Sequence, residues 1–329
     1  MRHRTARHPE IPAVVLPLAA ALLALASCGP TGPDFSVGFP VFSLQDIDCS
    51  SMGAPVSCCF IGSSQDGVFC AGSFLCFVDH DMGFLLDTLS LGYPLNDVGS
   101  TADGGYAMAV SDAMLHYVSN DTYYGHDPIP LGQTSPARFL LPRPQGGVAW
   151  VVHEDGTVTV VNTLSWTVSG SFSTDVGSAT AAALSPDGSA VFVADQSDAT
   201  VKKLETSGFT TVTECGTSGT VHDMETGPDA VYAAVGCGSE IWLIDLGTGQ
   251  HYETVPLPAT ATSVEVTPDG KYVYAGCPGQ GIVVVSRDEG SVEATIEGID
   301  VPEDIRVSPD GHRALVCVGS TMDVFVLED

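Results

Sequence analysis

The chain has 329 residues, of which 40 are Asp or Glu and 11 are Lys or Arg, giving a formal charge of −29. A surface this anionic repels phosphate backbones and anionic lipid headgroups, which excludes nucleic acid as a partner. The acids are scattered through turns, no Asp-x-Asp-x-Asp-Gly calcium loop occurs, and Asp79-His80-Asp81 is the nearest approach to one.

Arg2, Arg4 and Arg7 precede an apolar run over residues 11–26, short for a membrane span and suited to an export signal. The run ends at Leu25-Ala26-Ser27-Cys28, which resembles a bacterial lipobox: an aliphatic residue, two small residues, then the cysteine that receives lipid. The resemblance implies a signal peptide over 1–27, lipidation of Cys28, a tether over 28–34 and attachment to the membrane through the lipid. Gly29 in place of Asp implies an outer-membrane or cell-surface lipoprotein on the periplasmic or extracellular face. A plain secretory signal with a coincidental cysteine is the alternative. Losing 1–27 leaves 8 basic and 39 acidic residues, a mature charge of −31.

Residues 35–44 form an extended apolar stretch, and after it a four-residue phrase recurs. Ser185-Pro186-Asp187-Gly188 returns as Gly227-Pro228-Asp229-Ala230, Thr267-Pro268-Asp269-Gly270 and Ser308-Pro309-Asp310-Gly311. Worn copies are Ser64-Gln65-Asp66-Gly67, Thr101-Ala102-Asp103-Gly104 and Arg143-Pro144-Gln145-Gly146. The steps of 37, 42, 42, 42, 40 and 41 residues predict an all-β, seven-bladed β-propeller over 35–329, one four-stranded antiparallel blade per phrase.

The sixth repeat shows the pattern, with strands predicted over 263–266, 271–275, 281–286 and 292–296. They are named A to D from the axis outward. The last repeat supplies A (304–307), B (312–318) and C (322–327) and no D. Residues 35–44 are expected to fill that place, closing the ring and pairing an open edge.

Lys271-Tyr272-Val273-Tyr274-Ala275 and Ala190-Val191-Phe192-Val193-Ala194-Asp195, each following Pro-Asp-Gly, resemble the YVTN-type seven-bladed propeller repeat. The likeness is strong over 177–329 and weaker but in phase over 53–176. It departs in the first blade, which is shortened between Asp66-Gly67 and Phe74 and rich in cysteine. The resemblance implies an exported or surface-attached binding module of undetermined ligand, and the chain is expected to be a monomer that binds a protein, glycan or small polar ligand. Because the fold also carries lactonases and a haem nitrite reductase domain, an activity has to come from a site. The leading reading is a non-enzymatic binding or scaffold module. The alternative is a metal-assisted hydrolase or lactonase with its site at the channel rim, using a divalent cation.

Candidate ligand-binding residues follow from phase. Five positions before each phrase stand Cys59, Asn96, Arg138, Thr180, His222, Thr262 and Glu303, and one later Phe60, Asp97, Phe139, Ala181, Asp223, Ser263 and Asp304. Strand A is innermost, so Asp97, Arg138, His222, Asp223, Glu303 and Asp304 are expected to rim the central channel. Channel hydration is the plainer role for them. The carboxylates suit a cation or sugar hydroxyls, and the Arg138 fork a carboxylate or sulfate.

Nine cysteines follow Cys28, an odd number that leaves at least one thiol without a disulfide partner in the chain. Cys237 and Cys277 end adjacent B strands, about 10 Å apart around the ring, too far to bond. Cys215–Cys237 and Cys49–Cys70 are the expected bridges. Exposed loops or strand ends are the default sites for most histidines.

Overall fold

A computed structural model describes residues 39–62, 66–229 and 232–328, with side chains from residue 46 to 327. The leader, Cys28, the tether, residues 35–38 and the pair Ser64-Gln65 lie outside the described residues. Seven antiparallel sheets follow one another, each running A-B-C-D from the inside out. Blade six is Ser263–Val266, Tyr272–Cys277, Gly281–Ser286 and Ser291–Ile296, within two residues of the predicted bounds. In blade two the outer strand is split into Tyr124–Gly125 and Ile129–Pro130, both on strand C, Met114–Ser119.

The recurring phrase works as a turn with its own hydrogen-bond set. In blade four Ser185 Oγ donates to Asp187 Oδ1 at 2.7 Å, Ser189 N donates to the same oxygen, and Ala190 N donates to Ser185 Oγ. Gly188 supplies the positive φ of 67° that closes the turn. Thr101/Asp103, Thr267/Asp269 and Ser308/Asp310 repeat the hydroxyl-to-carboxylate bond at 2.6–2.7 Å. A hydroxyl first and an Asp third thus satisfy the donors exposed where strand A turns into strand B.

Blade one corrects the phase. The bond that closes this turn elsewhere, Ser185 N to Ala190 O or Thr101 N to Tyr106 O, is made here by Ile61 N to Asp66 O. The first blade's phrase therefore starts at Ile61, and Gly67 already belongs to strand B, Gly67–Ala71. Counting from 61 makes the first step 40 rather than 37 residues, and moves the rim positions to Val56 and Ser57 instead of Cys59 and Phe60.

The apolar core is divided among the seams. Among the described residues, seven buried clusters each join two neighbouring blades, such as Ala183, Phe192, Met224, Val235 and Ile244 between blades four and five. In blades two, three and four the C–D turn carries an aromatic residue with positive φ: Tyr123 at 50°, Trp166 at 53° and Phe209 at 54°. Gly83, Gly249 and Gly290 hold that place in blades one, five and six. The strain costs about 1–2 kcal/mol at a non-glycine residue, but it swings each ring back onto the preceding blade. Trp166 stacks on Tyr117 at 3.9 Å, Tyr123 meets Phe77 at 4.8 Å, and Phe209 meets Phe172 at 5.1 Å.

The ring closes as expected, with a shift. The strand that completes blade seven is Phe39–Asp48, antiparallel to Thr321–Glu328 in a register from Phe39↔Glu328 to Asp48↔Thr321. It ends four residues beyond the predicted 35–44, because Ile47 is needed in the seam between blades seven and one. Cys49 N then donates to Ser320 O.

Candidate functional site

Strand A of most blades begins with a β-bulge. The register steps from Leu95↔Ser111 to Asp97↔Val110, from Ala137↔His153 to Phe139↔Val152, from Val221↔Cys237 to Asp223↔Gly236, and from Pro302↔Val318 to Asp304↔Cys317. The extra residues are Asn96, Arg138, His222 and Glu303. A bulge re-aims side chains, so two successive residues face the axis where a regular strand would offer one. Asp97, Arg138, His222, Asp223, Glu303 and Asp304 accordingly line one central funnel of about 530 Å³.

The outer level is exposed. His222 and Glu303 face solvent, and Arg138 is held by Glu154, with Nη2 2.7 Å from Oε2. Both partners of that pair are open to water, so it adds little stability, but it engages the fork expected to receive an anion.

The next level braces the ring. Asp97 Oδ1 accepts from Ser57 Oγ at 2.6 Å and Oδ2 from Leu140 N at 2.7 Å, spanning blades one, two and three. Asp223 Oδ2 accepts from Val264 N and Asp304 Oδ2 from Cys58 N, each at 2.8 Å and each one blade ahead. These carboxylates tie successive A strands where no ladder joins them.

The deepest level was missed in the sequence. Arg306 lies among acids: Nη1 is 3.2 Å from Glu265 and 3.9 Å from Glu225, and Nη2 is 3.4 Å from Asp304. Glu265 Oε1 also accepts from Val307 N. Glu225, Glu265 and Arg306 stand two residues after Asp223, Ser263 and Asp304. Strand alternation puts residues i and i+2 on one face, and that was the signal available.

One guanidinium does not balance these acids. Burial pushes Asp223 up to about 7, against the pull of Arg306. Burial likewise pushes Glu265 up to about 8 and raises Glu225. Asp97 goes up to about 6, burial outweighing the bonds from Ser57 and Leu140. Burial works against the charge on Arg306, yet Asp304, Glu265, Asp223 and Glu225 together hold it well above its ordinary value. The funnel is short of positive charge near neutral pH.

All nine described cysteines are thiols, so neither expected bridge is present. Cys49 and Cys70 face opposite sides of blade one, Cys49 in the seam with blade seven and Cys70 in the seam with blade two. Cys215 and Cys237 share a cluster, but their sulfurs are turned to Gly216 O and Gly219 O. The histidines also depart from expectation, since His80, His116 and His153 are buried. His153 is pinned between Ser135 O at 2.9 Å and Thr159 Oγ1 at 3.0 Å, a framework role. No protein-family model matches the chain, and no curated protein matches it either.

Proposed function

We propose that this protein is an exported, lipid-anchored propeller of the YVTN type whose funnel receives a cationic or hydroxyl-rich group of a protein, glycan or small ligand. The observation that supports it is the concentration of Asp97, Asp223, Glu225, Glu303 and Asp304 in one concavity, with Arg138 already paired and Arg306 shared among several acids. A positively charged group entering the funnel meets carboxylates that have too few counter-charges. Hydroxyls find acceptors there.

Calorimetric titration with spermidine, and separately with a neutral oligosaccharide, tests the reading. Saturable binding at one site, weakened by salt and lost in Asp223→Asn/Glu225→Gln, is expected for the ammonium or the sugar. Binding that is unchanged in the double variant would reduce the funnel to a hydrated channel. The anchor is tested separately: Cys28→Ala should release the protein from membranes with its fold intact. A Cys28→Ala protein that still carries lipid by mass spectrometry would refute it.

A further inference from the structure

Behind the funnel wall, where blade seven meets blade one, three buried donors converge. Cys58 Sγ, Cys317 Sγ and an Asp304 carboxylate oxygen all lie within 4.8 Å of one another. Their residues are 1%, 0% and 5% exposed. The backbone sets the arrangement: Asp304 and Cys317 are cross-strand partners in blade seven, and Cys58 N donates to Asp304 Oδ2 from blade one. Other buried thiols sit apart from such company. Cys70 donates to Ser57 O, Cys277 to Ala259 O, and Cys76 lies against the Met52 sulfur.

We propose that Cys58, Cys317 and Asp304 bind one thiophilic divalent cation of the zinc class. Metal–ligand bonds of about 2.0–2.3 Å place tetrahedral donors roughly 3.3–3.8 Å apart, so three donors within this span need only small rotations to share one ion. Asp304 also lines the funnel, whereas neither cysteine does, and solvent would supply the fourth ligand. Binding consumes one cation and releases two thiol protons. Two thiolates and a carboxylate then carry one negative charge beyond the ion's own, and Arg306, 3.4 Å from Asp304 Oδ1, stands against it. Cys–Cys–Asp ligation across this seam also ties the two ends of the ring, as metal bound only by the folded state adds to folding stability. The site shares Asp304 with the funnel, but its two thiols lie outside the funnel lining, so a thiolate-to-metal band reports on it separately from the funnel's ligand.

The test uses the full chain reduced with a phosphine, titrated with Co²⁺ and then with Zn²⁺. One equivalent of Co²⁺ should produce a near-ultraviolet thiolate-to-metal band that Zn²⁺ abolishes. Apparent affinity should rise about 100-fold per pH unit below the thiol pKa values, since two protons leave. Cys58→Ser and Cys317→Ser should each lose the band, and Cys76→Ser should keep it. Should a serine variant fail to fold, peptide-level alkylation of the parent protein decides the matter: Zn²⁺ should protect Cys58 and Cys317 and leave Cys277 unaffected. A missing band, a band retained in both serine variants, or a Cys58–Cys317 disulfide holding no metal in unreduced protein would each overturn the site.

Discussion

Replacing Arg306 with Met should destabilise the ring in a way that depends on pH. The change removes the guanidinium that lies within 3.9 Å of Glu265, Asp304 and Glu225 while keeping most of the side-chain volume. Breaking a buried pair from one side costs about 3–5 kcal/mol. Arg306 keeps 26% of its side-chain surface exposed, so the lower end, about 3 kcal/mol, is expected at pH 8.5. In the parent protein, Asp223 at about 7 and Glu265 at about 8 already stand above ordinary carboxylates, so the folded state binds more protons than the unfolded chain between about pH 4 and 8. Stability therefore falls as pH rises through that window. Without Arg306 the pKa values climb further and the fall is steeper. At pH 5 the acids accept protons and the cost shrinks to about 1 kcal/mol, the worth of the lost hydrogen bonds. Urea unfolding of both proteins at pH 5 and 8.5 measures the difference. Equal losses at the two pH values would show that Arg306 acts through packing and not by balancing charge.

Three further substitutions probe the framework. Lys202 is buried with Nζ 2.9 Å from Asp195, 2.8 Å from Asp198 and 2.7 Å from Asp175 O, so Lys202→Met should cost about 3 kcal/mol by urea unfolding. Adding Asp195→Asn should recover part of that loss, and a double variant worse than the sum of its parts would refute the pairing. Asp187→Ala strips the acceptor shared by Ser185 and Ser189 and should cost about 1 kcal/mol; a neutral result would deny the phrase its structural role. Trp166→Ala should be less stable than Trp166→Gly by about 1 kcal/mol, because both lose the stack on Tyr117 but only Gly relieves the positive φ; equal melting temperatures would remove the strain argument.

The ring was legible because its turns carry chemistry that strands lack. A hydroxyl, a proline, an Asp and a Gly in order have few other uses, and their spacing counts the blades directly. Blade one misled for the same reason. Ser64-Gln65-Asp66-Gly67 imitates the phrase, while the working turn at Ile61-Gly62 carries neither the hydroxyl nor the carboxylate. The rim residues were legible from phase alone, although the cause of two inward positions in a row, the bulge, was not. Glu225, Glu265 and Arg306 escaped because the rim was read along one loop level and not down the strand. The cysteines escaped because spacing along the chain does not say which seam a side chain enters: Cys49 and Cys70 are 21 residues apart and point away from each other.

Bracing accounts for the shape of this funnel and only in part for its charge. Asp97, Asp223 and Asp304 each accept a backbone N–H from a neighbouring blade on Oδ2 and the N–H of the following residue on Oδ1, and a carboxamide, with one acceptor oxygen, keeps only one of the two bonds. Asn at these places would keep the tie between A strands on its one oxygen and lose the local bond, but would be free of the burial penalty that lifts Asp97 to about 6 and Asp223 to about 7. Glu225 is further from any bracing role, since its one near oxygen caps the neighbouring Thr226 N and the other lies 3.9 Å from Arg306. The carboxylates thus cost the fold stability at neutral pH, and the ring that they surround opens to solvent at Glu303 and His222. A cation arriving there offsets that cost directly. Asp97→Asn should therefore gain stability relative to the parent as pH rises from about 4 to 6, and keep that gain at pH 8.5, while weakening spermidine binding. A loss of stability at pH 8.5 would mean that the charge itself holds the blades together, and the funnel would need no ligand to explain it.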